Sequence, residues 1–173
     1  MRNLIFIIIF FLIINLNNTS YANEKIVYLN VNYVFSNSIS GKEANKSFEN
    51  KVKNLENEVN KFTKNINNEK DKLIKQKNIL SDEEFNKKFT EIDNKIKEFN
   101  KKTKIKNNEI MNLRKQVRSN FTKELKKILS NYSAENSINM IFNQEDILVG
   151  SKALDISNDI LKIVDSNKIK LIE

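Results

Sequence analysis

The chain has no proline, cysteine, histidine or tryptophan, and only two glycines, Gly41 and Gly150, in 173 residues. Each absence removes a class of protein. Too few turn formers remain for a sandwich or barrel of many short strands. Without Cys or His there is no zinc finger, thiol nucleophile, disulfide scaffold or histidine base. Glycine-rich loops that cradle phosphate are also missing. The length suits one domain and not comfortably two.

What is abundant is Lys, Asn and Ile. There are 27 Lys against 3 Arg, 30 Asn, and a formal net charge of +8. An AT-rich genome enriches the same three residue types, so the basicity counts for less as evidence about partners.

The N-terminus reads as separate from the fold. "MRNLIFIIIFFLIINLNNTSYANEK" opens with one cation, Arg2, and continues with an apolar run from Leu4 to Ile14. Polar residues follow, then "SYA", with the small Ser20 and Ala22 flanking a cleavage point. This is the three-part layout of a secretory signal peptide spanning 1–22, with Asn23 as the first mature residue. The alternative is a membrane anchor, but the run falls short of the ~20 residues that span a bilayer. Export of a Cys-free chain fits an oxidising compartment. The mature chain retains a charge of +7, with 29 basic and 22 acidic residues.

The middle of the chain carries two heptad series. Phe48, Val52, Leu55, Val59, Phe62 and Ile66 alternate spacings of 4 and 3, then Leu73 and Leu80 follow, with polar Glu69 and Gln76 in the gaps. This is the a/d seam of a coiled coil. Extended past Leu80, that register falls on Glu83, Lys87, Thr90, Asn94, Lys97 and Lys101, all polar. A second series instead runs Phe85, Phe89, Ile92, Ile96, Phe99, displaced by two residues. Ordinary coiled-coil discontinuities insert three or four. One unbroken rod is therefore excluded, and the chain reverses near "NILS". "SDEE" supports this, because Ser81 and Glu84 have capping-box spacing and three carboxylates fall in the first turn. Asn78 is expected to supply the left-handed residue that glycine would otherwise provide.

A second capping box, Ser40 with Glu43, is expected to open the outgoing helix, which spans about 42–79 and is ~57 Å long. The returning helix is expected over 82 to about 132. Its seam is interrupted by Thr103 and Lys106, and less apolar burial there predicts flexible stretches. A purely structural coiled coil remains an alternative for this stripe. Charge is asymmetric: 42–132 holds 24 Lys and Arg against 14 Asp and Glu, while 133–173 holds 4 against 7.

The ends supply a base. "KIVYLNV" reads as a strand, with Asn30 capping a short turn that carries Val34 and Phe35. "INMIF" and "ILVG" read as two short strands joined by "NQED". "DISNDILKIV" reads as a closing helix with Ser157 as N-cap and Ile160, Leu161 and Val164 buried. The expected fold is mainly α with a small β body: a long antiparallel helical hairpin over 42–132, its tip near 78–82, projecting from a base formed by 23–41 and 133–173. So small a base with open strand edges is marginal alone, so identical subunits are expected to cover it in a closed ring.

These segments resemble the Skp (OmpH-like) periplasmic chaperones. "KIVYLNVNYVFSNSISGKEA" is similar to that family's opening strand, short turn and helix start. "LSDEEFNKKFTEID" is similar to its arm-tip hairpin, and "MIFNQEDILVGSKALDISNDILKIVD" to its closing strand pair and helix. The likeness spans 25–166. Asn30 stands where the family usually has Asp, and Ile39 where Pro is common. The resemblance implies a homotrimer whose helical arms enclose a cavity. It also implies an ATP-independent holdase for unfolded outer-membrane proteins, with no enzyme activity and no cofactor.

Capture without chemistry fits that reading. Off-seam apolar groups Ile74, Ile79 and Ile105 stand near Lys72, Lys75, Lys87, Lys88, Lys102 and Lys104, and are the candidate client contacts. Each lysine has a plainer reading as solvated helix surface. Positive arms would speed encounter with acidic precursors, and three arms would add weak contacts by multivalency. Contact with anionic lipid or lipopolysaccharide is left open. An envelope scaffold or tether is the alternative function. A nucleic-acid binder would use the same lysines, but export argues against it and no nucleic acid is expected as a partner.

Overall fold

The computed structural model describes residues 24–172. The expected signal peptide therefore lies outside the described residues. β1 (Ile26–Leu29) leads into a short helix α1 (Val31–Asn37), then α2 (Ile39–Lys75) and α3 (Asp82–Glu135). β2 (Met140–Asn143) and two single-turn 3-10 segments precede the closing helix α4 (Ser157–Ser166).

α2 has 37 residues and α3 has 54, so they extend about 55 Å and about 80 Å at 1.5 Å per residue. They run antiparallel. Glu58 meets Lys106, Phe62 meets Phe99, and Glu69 meets Lys95. The descending numbers on one helix against ascending numbers on the other leave no other arrangement. Near the tip the seam residues Ile66, Leu73 and Ile92 are buried, with Phe62, Leu80, Phe85 and Ile96 packed against them.

The reversal occupies 76–81, and its local chemistry is partly as expected. The Ser81 hydroxyl accepts from the Glu84 amide, and the Glu84 carboxylate accepts from the Ser81 amide at 3.1 Å. Asn78 differs from expectation. Among the described residues only Ser137 and Lys168 have positive φ outside glycine. The turn is instead closed by right-handed overlap, with the Ile79 and Leu80 amides both donating to the Gln76 carbonyl. α2 therefore ends at Lys75, earlier than the expected 79.

The start of α2 also differs. Ser38, not Ser40, is the N-cap: its hydroxyl accepts from the Gly41 amide at 3.1 Å and donates to the Phe35 carbonyl at 2.9 Å. Ser40 lies inside the helix and is buried. Starting the helix at Ile39 rather than 42 lets one fully buried serine satisfy both α1 and α2. α3 runs past 132 to Glu135 and ends in a Schellman turn: Ser137 is left-handed at φ 53°, and the Ile138 amide donates to the Ser133 carbonyl at 2.9 Å.

In the body, β1 and β2 pair in parallel, Ile26 opposite Met140 through Leu29 opposite Asn143. Parallel strands need a crossover connection, and here the entire helical hairpin is that crossover. Val27, Leu29 and Ile141 face a core with Val34, Phe35, Phe121, Leu125, Ile160 and Val164. Phe35 packs edge-on against Phe121, ring centroids 5.1 Å apart. Backbone ties close the ends: the Ile156 amide donates to the Tyr28 carbonyl, and the Ile39 amide to the Asp165 carboxylate.

Three expectations about the C-terminal half are corrected. "NQED" is no hairpin turn, since Gln144–Asp146 is a 3-10 turn, and "ILVG" is not a strand. β1 and β2 pair only with each other, and this segment forms no ladder with either strand. It crosses the outer face of β1 as a loop: a Cβ on Gly150 would come within 2.9 Å of the Tyr28 ring. Ser157 is the first residue of α4 rather than its cap, because the Asp155 carboxylate accepts from the Ser157 amide and hydroxyl. The Ser157 hydroxyl accepts in turn from the Asn30 amide, stitching α4 to the start of α1.

Candidate binding surface on the helical arm

The two helices spend their apolar residues on a narrow shared seam, so the outward faces are what a partner meets. Ile74 is 65% exposed, Ile79 83% and Ile105 49%. Lys72, Lys75, Lys87, Lys88, Lys102 and Lys104 are all exposed as well. The hairpin sorts these nine residues into two groups. Lys72, Ile74 and Lys75 end α2, Ile79 sits in the turn, and Lys87 and Lys88 lie early in α3, so six of them gather at the tip. Lys102, Lys104 and Ile105 lie farther down α3, level with Glu58. Lys72 and Lys75 also occupy the last turn of α2, where cations are favoured by the helix dipole.

The electrostatics of the seam come from two carboxylates. The Lys106 ammonium donates to Glu58 at 2.6 and 2.7 Å, and with Lys102 nearby it holds the Glu58 carboxyl below its usual range. Hydrogen bonds from the Ser81 backbone and hydroxyl do the same for Glu84, helped by Lys88. Lys106 stands at a position where the heptad pattern expects an apolar residue. The seam opens there into a cleft of about 260 Å³ lined by Leu55, Glu58, Lys106, Ile110 and Leu113 among others. Among the described residues no three His, Cys, Asp or Glu side chains are placed to hold a metal ion. None of the described helices is long and apolar enough to cross a membrane.

A hairpin of this form on a small parallel-stranded body is what the comparisons with known proteins find. A family model for outer membrane protein (OmpH-like) matches residues 25–164. The chain belongs to the OmpH-like family. A crystal structure of a candidate outer membrane chaperone (OmpH-like) from Caulobacter crescentus CB15 superposes with a TM-score of 0.79. It is 14% identical and covers 88% of this chain and 89% of its own. No curated protein matches the chain.

In this OmpH-like chain, sequence reasoning missed three features of the arm. Phe89 belongs to the second heptad series yet is 57% exposed. The seam positions on either side of Leu73, Glu69 in α2 and Gln76 just past its end, are polar. Met111, 56% exposed, carried no periodic signal. Arg114 and Arg118 lie over the rings of Phe48 and Phe35, at 5.4 and 5.8 Å from the centroids. Their rarity in so lysine-rich a chain was the available signal.

Proposed function

We propose that this OmpH-like protein is an ATP-independent periplasmic holdase, which binds unfolded outer-membrane proteins between helical arms and keeps them from aggregating. One observation carries the reading: bulky apolar side chains stand exposed among exposed lysines on an arm whose seam consumes little of its surface. Such a surface offers an unfolded chain both a charge-steered approach and scattered apolar contact. Nothing in that work needs bond chemistry, so the proposed role is not enzymatic. The family's membership and the OmpH-like neighbour support it.

The cavity requires several arms, and we propose a homotrimer joined through the body. The outer face of the two-stranded sheet supports this: Ile26, Met140 and Phe142 stand 40–50% exposed, and Leu148 and Val149 are almost wholly in solvent. Apolar surface of this kind marks an interface. The loop expected as a strand is then the element a second copy would order.

The deciding experiment dilutes a urea-unfolded outer-membrane barrel into buffer with stoichiometric mature protein. Suppressed light scattering is expected, and undiminished aggregation refutes the holdase reading. Multi-angle light scattering should give three subunits, and a Leu148→Asp, Val149→Asp variant should shift the mass toward monomer.

A further inference from the structure

At the root of the arm, where α3 passes the body, lies a cleft of about 300 Å³ lined by Phe35, Asn45, Phe48, Glu49, Arg114 and Arg118. It is separate from the tip and mid-arm groups already described. Its floor is rigid. Phe48 and Phe35 are 5% and 6% exposed, and Phe35 is braced edge-on by Phe121. Arg114 and Arg118, one helical turn apart on the same face of α3, each lay a guanidinium against one of these rings.

A guanidinium held over a ring by its charge still has N–H donors to offer a ligand. Among the described residues neither arginine makes an ion pair or a side-chain hydrogen bond. The composition sharpens the point. Lysine outnumbers arginine 27 to 3, and these are the two arginines outside the N-terminal segment. Charge alone is supplied everywhere else by lysine. A planar, forked donor is needed where two parallel hydrogen bonds to a carboxylate are made, and lysine does not provide it. Glu49 lines the same cleft and offsets part of its positive charge.

We propose that this cleft is a recognition pocket for a polypeptide carboxylate flanked by an apolar side chain. The carboxylate bridges the Arg114 and Arg118 forks, and the apolar group lies against the edges of Phe35 and Phe48. The inference rests on the reading of unfolded polypeptides as the ligand. It names one feature of such a chain that is bound more tightly than the rest.

Fluorescence anisotropy with labelled short peptides tests it on the mature protein. One peptide ends in Phe with a free carboxylate, a second is its C-terminal amide, and a third is an amide carrying an internal Asp-Phe. The free acid should bind about tenfold more tightly than the amide. The third peptide separates the sources. Binding as tight as the free acid assigns the pocket to any carboxylate beside an apolar group, and weak binding assigns it to the chain terminus. The Arg114→Lys, Arg118→Lys variant keeps the charge and should lose the acid-over-amide preference. The exposed Glu49→Gln variant, which leaves the stacked pairs untouched, should bind the acid about threefold more tightly. Equal affinity for acid and amide in the unsubstituted protein, or an undiminished preference in a helical, trimeric double-Lys variant, overturns the proposal. Barrel aggregation is measured separately. A protein that prefers the acid but leaves barrels to aggregate sinks the holdase reading and not the pocket.

Discussion

Gly41 lies so close to Phe35 that a Cβ on the glycine would fall 1.7 Å from the Phe35 carbonyl oxygen. The contact is made by backbone, which cannot swing aside. It arises because α1 and α2 share Ser38 as the end of one helix and the cap of the next. Gly41→Ala must push α2 away from α1 and break the Ser38 hydrogen bonds. The loss expected is about 1–3 kcal/mol or more, the range of overpacking. Urea denaturation followed by circular dichroism checks it, and an unchanged midpoint refutes the close approach.

Ser81 closes the far end of the arm. Ser81→Ala removes the capping hydroxyl and should cost about 1 kcal/mol locally. It should be seen as faster hydrogen exchange in 82–88 with little change in the body. The same turn is pH-sensitive. Glu84 titrates below its usual value because Ser81 hydrogen-bonds the ionised form. A depressed folded pKa adds stability above the unfolded pKa and loses it as pH falls through the folded value. Exchange at the tip, corrected for intrinsic rates, should thus accelerate on acidification below about pH 4.5. The effect should vanish in Glu84→Gln.

Ser137 adopts a left-handed conformation at φ 53° where α3 ends. That geometry strains a residue with a Cβ, and glycine removes the strain at some expense in unfolded-state entropy. Ser137→Gly should stabilise the body slightly, by about 0.5 kcal/mol. A lowered urea midpoint contradicts the expected sign.

Lys106 replaces an apolar seam residue with one arm of an ion pair to Glu58. Both side chains are partly exposed to solvent, which screens the pair, so little stability is lost with it. Lys106→Leu should fill the opening beside Leu55 and Ile110 and stiffen the middle of the arm. Slower exchange over 51–59 and 102–113 is the expected readout. If mid-arm yielding is used to fit differently sized clients, large barrels should be held less well than small ones by this variant.

In the proposed function the exposed lysines of the two arm groups carry the steering. Replacing Lys72, Lys75, Lys87, Lys88, Lys102 and Lys104 with Gln should slow association with an acidic unfolded barrel severalfold at low salt. The salt dependence of the on-rate should flatten while the oligomer mass stays constant. Stopped-flow mixing across ionic strengths distinguishes this from a general loss of fold.

Much of the arm was legible because its signals are local. The spacing from Phe48 to Ile66 marks one helix face, and the two-residue phase shift at Phe85 marks the reversal without any knowledge of packing. Ser81 and Glu84 satisfy each other within one turn, so the pair can be read directly. The Ser38 cap was not legible. Ser38 and Ser40 are equally good caps by type, and the choice between them is made by the Phe35 carbonyl and the glycine that must pass it. Likewise "ILVG" has strand composition, but a strand needs a partner edge, which lies outside the segment. The tip grouping of Lys72, Ile74, Lys75, Ile79, Lys87 and Lys88 follows once the reversal is located. The stacking of Arg114 and Arg118 on rings from two other elements does not.

The amino-acid sequence alone determined that this chain makes two long helices, where they part, and that their surface is positive, since periodicity, capping and charge act over a few residues. Tertiary structure alone decided that β1 and β2 run parallel with the whole hairpin as their crossover. It also decided which apolar residues remain uncovered and that two rare arginines rest on buried aromatic rings. Those outcomes depend on contacts between segments more than 60 positions apart, and no local propensity encodes which distant surface a side chain will meet.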